Sequence, residues 1–186
     1  MPAPGRTNVD AIVRAAADLL EATGPDGLSM QAVATRVGVR APSLYKHVAG
    51  RGELLRLVAE DAARDIGTRI DASAPPGMPP QAALGAALRA FRDFARERPA
   101  AFRIVFSPGA EAARADPEIL RRSAATVLRI GTELAGPERA LEAARTLTAW
   151  ASGFAAMELA DAFRMGGDVD AAFDYGIERL AQALAR

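Results

Sequence analysis

From Thr7 to Thr23 the apolar residues Val9, Ile12, Val13, Ala16, Leu19 and Leu20 recur every three or four positions, the period of a helix with one buried face. Thr7 and Asp10 stand at the spacing of a capping box, with Asp in place of the usual Glu, and Gly24-Pro25 predicts the stop. A short second helix is expected over 29–37, and a third from near Pro42, a residue suited to a first helical turn. A fourth is expected from Arg51 to about Ile70, with Leu55, Val58, Ala62 and Ile66 on one stripe. The four prolines and one glycine of "ASAPPGMPP", Ala72 to Pro80, then predict a linker and a domain boundary. A helix over 81–98 follows, with Leu84, Leu88, Phe91 and Ala95 on one face and Pro99 ending it. "PAAFRIVF" reads as a short apolar helix stopping at Ser107-Pro108-Gly109, and Asp116-Pro117 opens another. "GPERA" opens a long helix over 137–164, and a last one over 169–185 turns Phe173, Ile177, Leu180, Ala181 and Leu184 inward. No apolar run of period two reaches strand length, so the expected fold class is all-α.

Composition narrows the chemistry. The chain has 186 residues, half of them hydrophobic, which suits one domain or a small domain attached to a larger one. It contains no cysteine, which excludes disulfides, thiolate metal sites and cysteine nucleophiles. No secretory leader is recognisable, and charged residues interrupt every apolar stretch well before membrane-spanning length. The expectation is a soluble, cytoplasmic protein with no membrane partner. The formal charge of zero hides an asymmetry: between Ser29 and Arg56 five basic residues (Arg36, Arg40, Lys46, Arg51, Arg56) face one acid, Glu53, a net +4. A locally basic segment on a neutral chain is the footprint of a polyanion partner or an ordinary solvated face.

Within that segment lie the single lysine, Lys46, and the single histidine, His47, next to Tyr45. The two short helices flanking Val37-Gly38-Val39 meet the requirements of a helix-turn-helix. Ala34 is small where the helices approach, Gly38 is free to take positive φ in the turn, and Leu44 locks the second helix. Val33, Val37 and Val39 form the seam between them. Spacing alone leaves an ordinary helical hairpin open. His47 as a metal ligand or catalytic base is disfavoured, because no second histidine and no cysteine exist to assist it.

The stretch "LSMQAVATRVGVRAPSLYKHVAGRGELLRLV", Leu28 to Val58, resembles the DNA-binding signature of the TetR family of transcriptional regulators, with "PSLYKHV" its most specific part. The resemblance is dense over residues 7–70. It implies a helix-turn-helix domain over 1–50 and a connecting helix over 51–71. The linker, 72–80, would then lead to a ligand-binding and dimerisation domain over 81–186. It further implies that Arg40, Ala41, Ser43 and Lys46 face base edges or neighbouring phosphates, that Pro42 starts the recognition helix, and that Tyr45 and His47 anchor the backbone. Gln31 and Arg51 stand where the family often makes further contacts. The chemistry suits this: phenol, imidazole N–H and ammonium donate to phosphate, while forked groups such as Arg40 and Gln31 suit guanine and adenine. Many relatives carry Ser or Thr at the position of Arg40, and here that helix cap is missing. For Tyr45, a half-buried scaffold role stays open.

"FARERPAAFRIVFSPG" and "WASGFAAMELADAFRMGGDVDAAFDYGIERL" resemble one widespread type of TetR C-terminal domain, with Ser152-Gly153 where that type commonly has His-Gly. The resemblance implies a homodimer on a palindromic double-stranded operator, and a cavity whose small apolar or amphipathic ligand releases the DNA. Phe91, Phe94, Phe102, Phe106, Trp150, Gly153 and Met157 are the pocket candidates, with a filled core as the alternative for each. The expected function is a repressor without a cofactor or metal. The alternatives are a relative that answers to a protein partner or to no effector, and, more remotely, an all-helical enzyme or an interaction protein. Against an enzyme stand the lone histidine, the missing cysteines and the lack of a phosphate-binding glycine loop.

Overall fold

In the computed structural model, which describes residues 8–106 and 114–185, the first helix, α1 (Val9–Gly27), is capped by Asn8, whose side chain accepts the N–H of Ala11 at 2.8 Å. Asn8 is thus the cap of this helix, and the Thr7 of the expected capping box lies outside the described residues. Regular helix breaks at Gly24, where φ of +71° is open to glycine at little cost. α2 (Met30–Val37) follows, then the single turn α3 (Ala41–Leu44), then α4 (Arg51–Ser73). Beyond α4 come α5 (Pro80–Glu97), α6 (Pro99–Phe106), α7 (Pro117–Ser123) and α8 (Ala125–Ala135). A 3-10 turn (Pro137–Arg139) leads into α9 (Ala140–Leu159), and α10 (Val169–Leu184) is last. The described residues contain no strand, as the periodicity required.

The chain forms two compact units, and they do not divide at the proline-rich segment. One comprises the described residues of Met1–Ala62 together with Arg98–Asp116; the other those of Ala63–Glu97 and Pro117–Arg186. The segment 72–80 is a helix-to-helix turn inside the second unit. Its Ala74 is fully buried and donates its N–H to Ile70 O, and its carbonyl accepts from Arg129. Proline density marks the end of a helix, and a buried turn ends one as well as an exposed linker does.

The first unit is built around Ile12, Ala16 and Leu20 of α1, Val33 and Ala34 of α2, Leu44, Val48, and Leu54 and Val58 of α4, all essentially inaccessible. Fully burying each Ile, Leu or Val side chain of this set stabilises by about 1.5–3 kcal/mol before entropy is subtracted. Ala100 and Ile104 of α6 pack against this same cluster. The expected stop at Ser107-Pro108-Gly109 lies outside the described residues.

The second unit departs from expectation in several places. The helix begun at Pro117 ends at Ser123, and a separate α8 runs to Ala135 before the long helix. The break lies against Gly67 of α4, where an added Cβ would come within 2.8 Å of Ser123 Cα, a long-range contact that periodicity does not register. α9 ends at Leu159, short of the expected Arg164, and Asp161 with positive φ begins the connection to α10. α8 and α9 cross at Gly131, where a Cβ would meet Ala140 O at 2.7 Å. Phe94, Leu84, Ile130, Leu147 and Phe173 fill the core. On α10 the inward residues are Phe173, Ile177 and Ala181, while Leu180 and Leu184 are only partly covered.

Candidate nucleic-acid interface

Three local devices set the geometry of α2 and α3. Ser29 caps α2 by accepting the N–H of Ala32 at 3.1 Å. Gly38 ends it in the left-handed region, φ +79° and ψ +28°, and Val39 N–H reaches back to Ala34 O at 2.9 Å. Ala34 and Leu44 are fully buried, so the small residue, the turn glycine and the locking leucine occupy the roles that their spacing implied. α3 starts at Arg40 without a side-chain cap, Pro42 lies in its first turn, and His47 N–H and Val48 N–H both bond to Leu44 O.

This places a run of polar side chains outward. Arg40, Tyr45, Lys46 and His47 are exposed, as is Gln31 on α2, and Ser43 is half-covered. Tyr45 is 55% exposed, so its ring is not held as scaffold. Ala41 is partly buried against the core, which limits what its methyl offers a partner. The side chains of Arg40 and Lys46 make no ion pair or hydrogen bond among the described residues. Arg36, by contrast, reaches Asp18 at 3.1 Å.

Arg51 is placed differently from the others. Its Nε donates to Leu28 O at 2.9 Å and its Nη2 to Pro25 O at 2.8 Å, which ties the first residue of α4 to the C-terminal end of α1. Its fork is engaged inside the protein, with acceptors more than twenty residues away that no local pattern could reveal. Sequence reasoning also missed Glu53, whose carboxylate accepts Ala49 N–H at the start of α4; a Glu in the first turn was the available signal.

The pocket candidates fall apart into separate settings. Phe102 and Phe106 belong to α6 in the first unit, with ring centroids 5.1 Å apart. Phe94 is a fully buried core residue of the second unit. Trp150 stacks on Phe173 with centroids 5.0 Å apart and lies over Gly176. Gly153 and Met157 face outward on α9. Phe91 lines an apolar cavity of about 20 Å³, bounded also by Ile70, Leu84, Leu88, Val127, Ile130, Leu147, Thr148 and Ala151. Beside this core, buried Arg92 donates to both oxygens of Glu158 at 2.8 and 2.7 Å and reaches Asp170 at 2.8 Å. Its guanidinium lies 4.5 Å from the Phe173 ring centroid. Among the described residues no cluster of His, Cys, Asp and Glu has the makings of a metal site, and no helix is long and apolar enough to cross a membrane.

A capped helix, a left-handed glycine turn and a short second helix with an outward cationic face define a helix-turn-helix protein. Residues 12–58 match the family "Bacterial regulatory proteins, tetR family", and residues 84–180 match "Tetracyclin repressor-like, C-terminal domain". The chain belongs to the TetR family, whose members are transcription regulators and not enzymes. It is 43% identical over 63 residues to the HTH-type transcriptional repressor DrrR1 of Streptomyces coeruleorubidus, a match spanning 34% of this chain and 23% of that one. The aligned part thus covers about a quarter of the relative's length. A protein of unknown function from Rhodococcus sp. RHA1 shares the fold over the full length of both chains, with TM-score 0.80 and 24% identity. A TetR variant from Acinetobacter baumannii AYE in complex with minocycline superposes with TM-score 0.73 at 25% identity, over 96% of each chain.

Proposed function

We propose that this protein is a cytoplasmic transcriptional repressor that binds a palindromic operator as a homodimer. The observation that carries the reading is the exposed set Gln31, Arg40, Ser43, Tyr45, Lys46 and His47 around one short helix, with Arg40 and Lys46 unengaged among the described residues. Lys46, Tyr45 and His47 donate to phosphates and set the register, Gln31 supplies a further contact, and Arg40 is the forked donor suited to a guanine edge. Selection of duplexes from a random pool, followed by anisotropy titration, tests this; retention of no palindromic sequence would refute it.

Dimerisation rests on α9. Its outward stripe Ala149, Gly153 and Ala156, continued by the cap residue Ala160, is small and uncharged, and a Cβ at Gly153 would meet nothing within 4 Å. A helix surface of this kind lets a second helix approach closely. Gly153→Arg leaves the protomer folded and blocks that approach, so sedimentation should show monomers; a dimer of unchanged stability would refute the assignment.

Release by a small apolar or amphipathic ligand is the favoured mode of control, supported by the minocycline complex of the Acinetobacter relative. A second reading, with no small-molecule effector, takes its support from the apolar cavity at Phe91, which holds about 20 Å³, whereas drug-sized ligands occupy roughly 300–1,000 Å³. Thermal-shift screening separates them, because a ligand bound only by the folded state raises Tm by mass action.

A further inference from the structure

We infer that Arg92 and Arg96 form an anion site in the second unit, held closed by Asp170, and that the effector which displaces Asp170 is an amphipathic carboxylate. The inference rests on the effector-release reading above and names the ligand class for it.

Arg92 carries a cation into a cluster of aromatic rings. Its side chain is only 7% exposed, and its guanidinium lies 4.5 Å from the Phe173 centroid and 5.3 Å from that of Phe154. Stability does not account for a charge there, since apolar side chains of similar volume commonly leave a fold as stable or more so. Glu158 of α9 neutralises Arg92 by accepting on both oxygens. Arg96, one turn further along α5, shares Glu158 Oε1 at 2.6 Å, so two cations lean on one inner acid. The balancing charge comes from the surface.

Asp170, in the first turn of α10, gives a single oxygen, Oδ1, to Arg92 at 2.8 Å and to Arg96 at 2.7 Å. Its side chain is 68% exposed, against 17% for Glu158. The hydrogen bond from Arg96 holds the Asp170 carboxyl below its ordinary range, so it occupies the site as an anion. Exposed ion pairs of this kind contribute little. An incoming carboxylate takes over both arginines as Asp170 turns to solvent, and charge and hydrogen bonds stay balanced. Such an exchange gains almost nothing by itself, so net affinity must come from apolar surface. Phe154 supplies it together with Phe163 and Trp150, whose ring centroids lie 4.7 and 5.6 Å away, and all three rings are only partly covered. An inorganic anion has no apolar body to lay against them, which narrows the class to acids with an acyl or aryl body. None of these residues lines the cavity at Phe91.

Titration of the full-length protein with straight-chain acids from acetate to octanoate tests this, with the matching primary amides as neutral controls. The readouts are Tm and the emission of Trp150, which stacks on Phe173. In the wild type the acids should bind more tightly than the amides, with affinity rising by up to about fourfold per methylene. Asp170→Ala removes the internal competitor and should bind the acids about fivefold more tightly. Asp170→Asn, which keeps the volume and loses the charge, should do the same and serves if the alanine variant does not fold. Arg96→Gln should lose about tenfold or more in affinity for the acids and nothing for the amides. Acids that bind no better than amides, or that bind the wild type and the Asp170 variants alike, would overturn the inference. Release of operator by a neutral compound, with the same potency in the Asp170 variants, would overturn the carboxylate class and leave the effector reading standing. Acid binding as expected that leaves operator affinity unchanged would uphold the anion site and remove the effector reading.

Discussion

Replacing Lys46 with alanine should change how operator affinity responds to salt, and replacing Arg51 should not. Lys46 is exposed on the α3 surface and makes no ion pair among the described residues, whereas Arg51 donates to the carbonyls of Leu28 and Pro25. Each phosphate contact by a cation contributes about 0.9 to the slope of log affinity against log salt, through release of condensed counterions. A dimer brings two copies, so Lys46→Ala should shallow the slope by about 1.8. Between 50 and 200 mM salt this shrinks the variant's defect roughly twelvefold, a change that anisotropy titrations resolve easily. Arg51→Ala should keep the wild-type slope and lower the stability of the first unit by about 1–3 kcal/mol, because two carbonyls lose a charged donor at a partly covered site. A Lys46→Ala slope equal to that of the wild type would refute the phosphate contact. A shallower slope in Arg51→Ala with unchanged Tm would show that the strap to α1 opens on DNA.

Other substitutions test the remaining parts. Tyr45→Phe should weaken all operator variants about equally, while Arg40→Ala should flatten preference at one symmetric base pair by about 1–3 kcal/mol, measured by competition among variant duplexes. Gly176→Ala would place a Cβ 2.2 Å from Trp150 Cζ2, so the indole must move; Tm should fall by an amount equivalent to about 1–3 kcal/mol, and emission from the only tryptophan should shift. The hydrogen bond from Arg92, aided by Arg96, holds the Glu158 carboxyl below its ordinary range. The linked stability is therefore fully present above the unfolded-state value of about 4.3 and lost as pH falls through the lower folded-state value. Glu158→Gln should be less stable than the wild type at neutral pH, and its Tm should fall less between pH 5 and 3.

The helix-turn-helix was legible because its requirements are local. A small residue at Ala34, a left-handed glycine at Gly38 and a cap at Ser29 act on neighbours a few positions away, and period and spacing register them directly. On α1 the Asn8 side chain accepts the N–H of Ala11, and a competent cap residue there was readable from its type alone. What escaped the sequence depends on distant partners. The break between α7 and α8 answers to Gly67 of α4, and the role of Arg51 is set by two carbonyls on the far side of α2. The aromatic residues of 81–186 looked alike as pocket candidates because apolarity does not separate a core ring such as Phe94 from one that lines a cavity, such as Phe91.

The split membership of the chain bears on how such regulators can be recombined. An exchange of DNA-binding specificity by grafting residues up to Ala62 onto a foreign second unit would carry Glu21 and Glu60 away from Ala100, Ala101 and Asp116, whose N–H groups their carboxylates accept. The two carboxylates would meet whatever backbone the new host presents, and the core around Ile12 would lose the cover of Ala100 and Ile104. A chimera that also transplants Arg98–Asp116 keeps both caps and that cover. The exchangeable cassette in this protein is discontinuous, two stretches that must travel together.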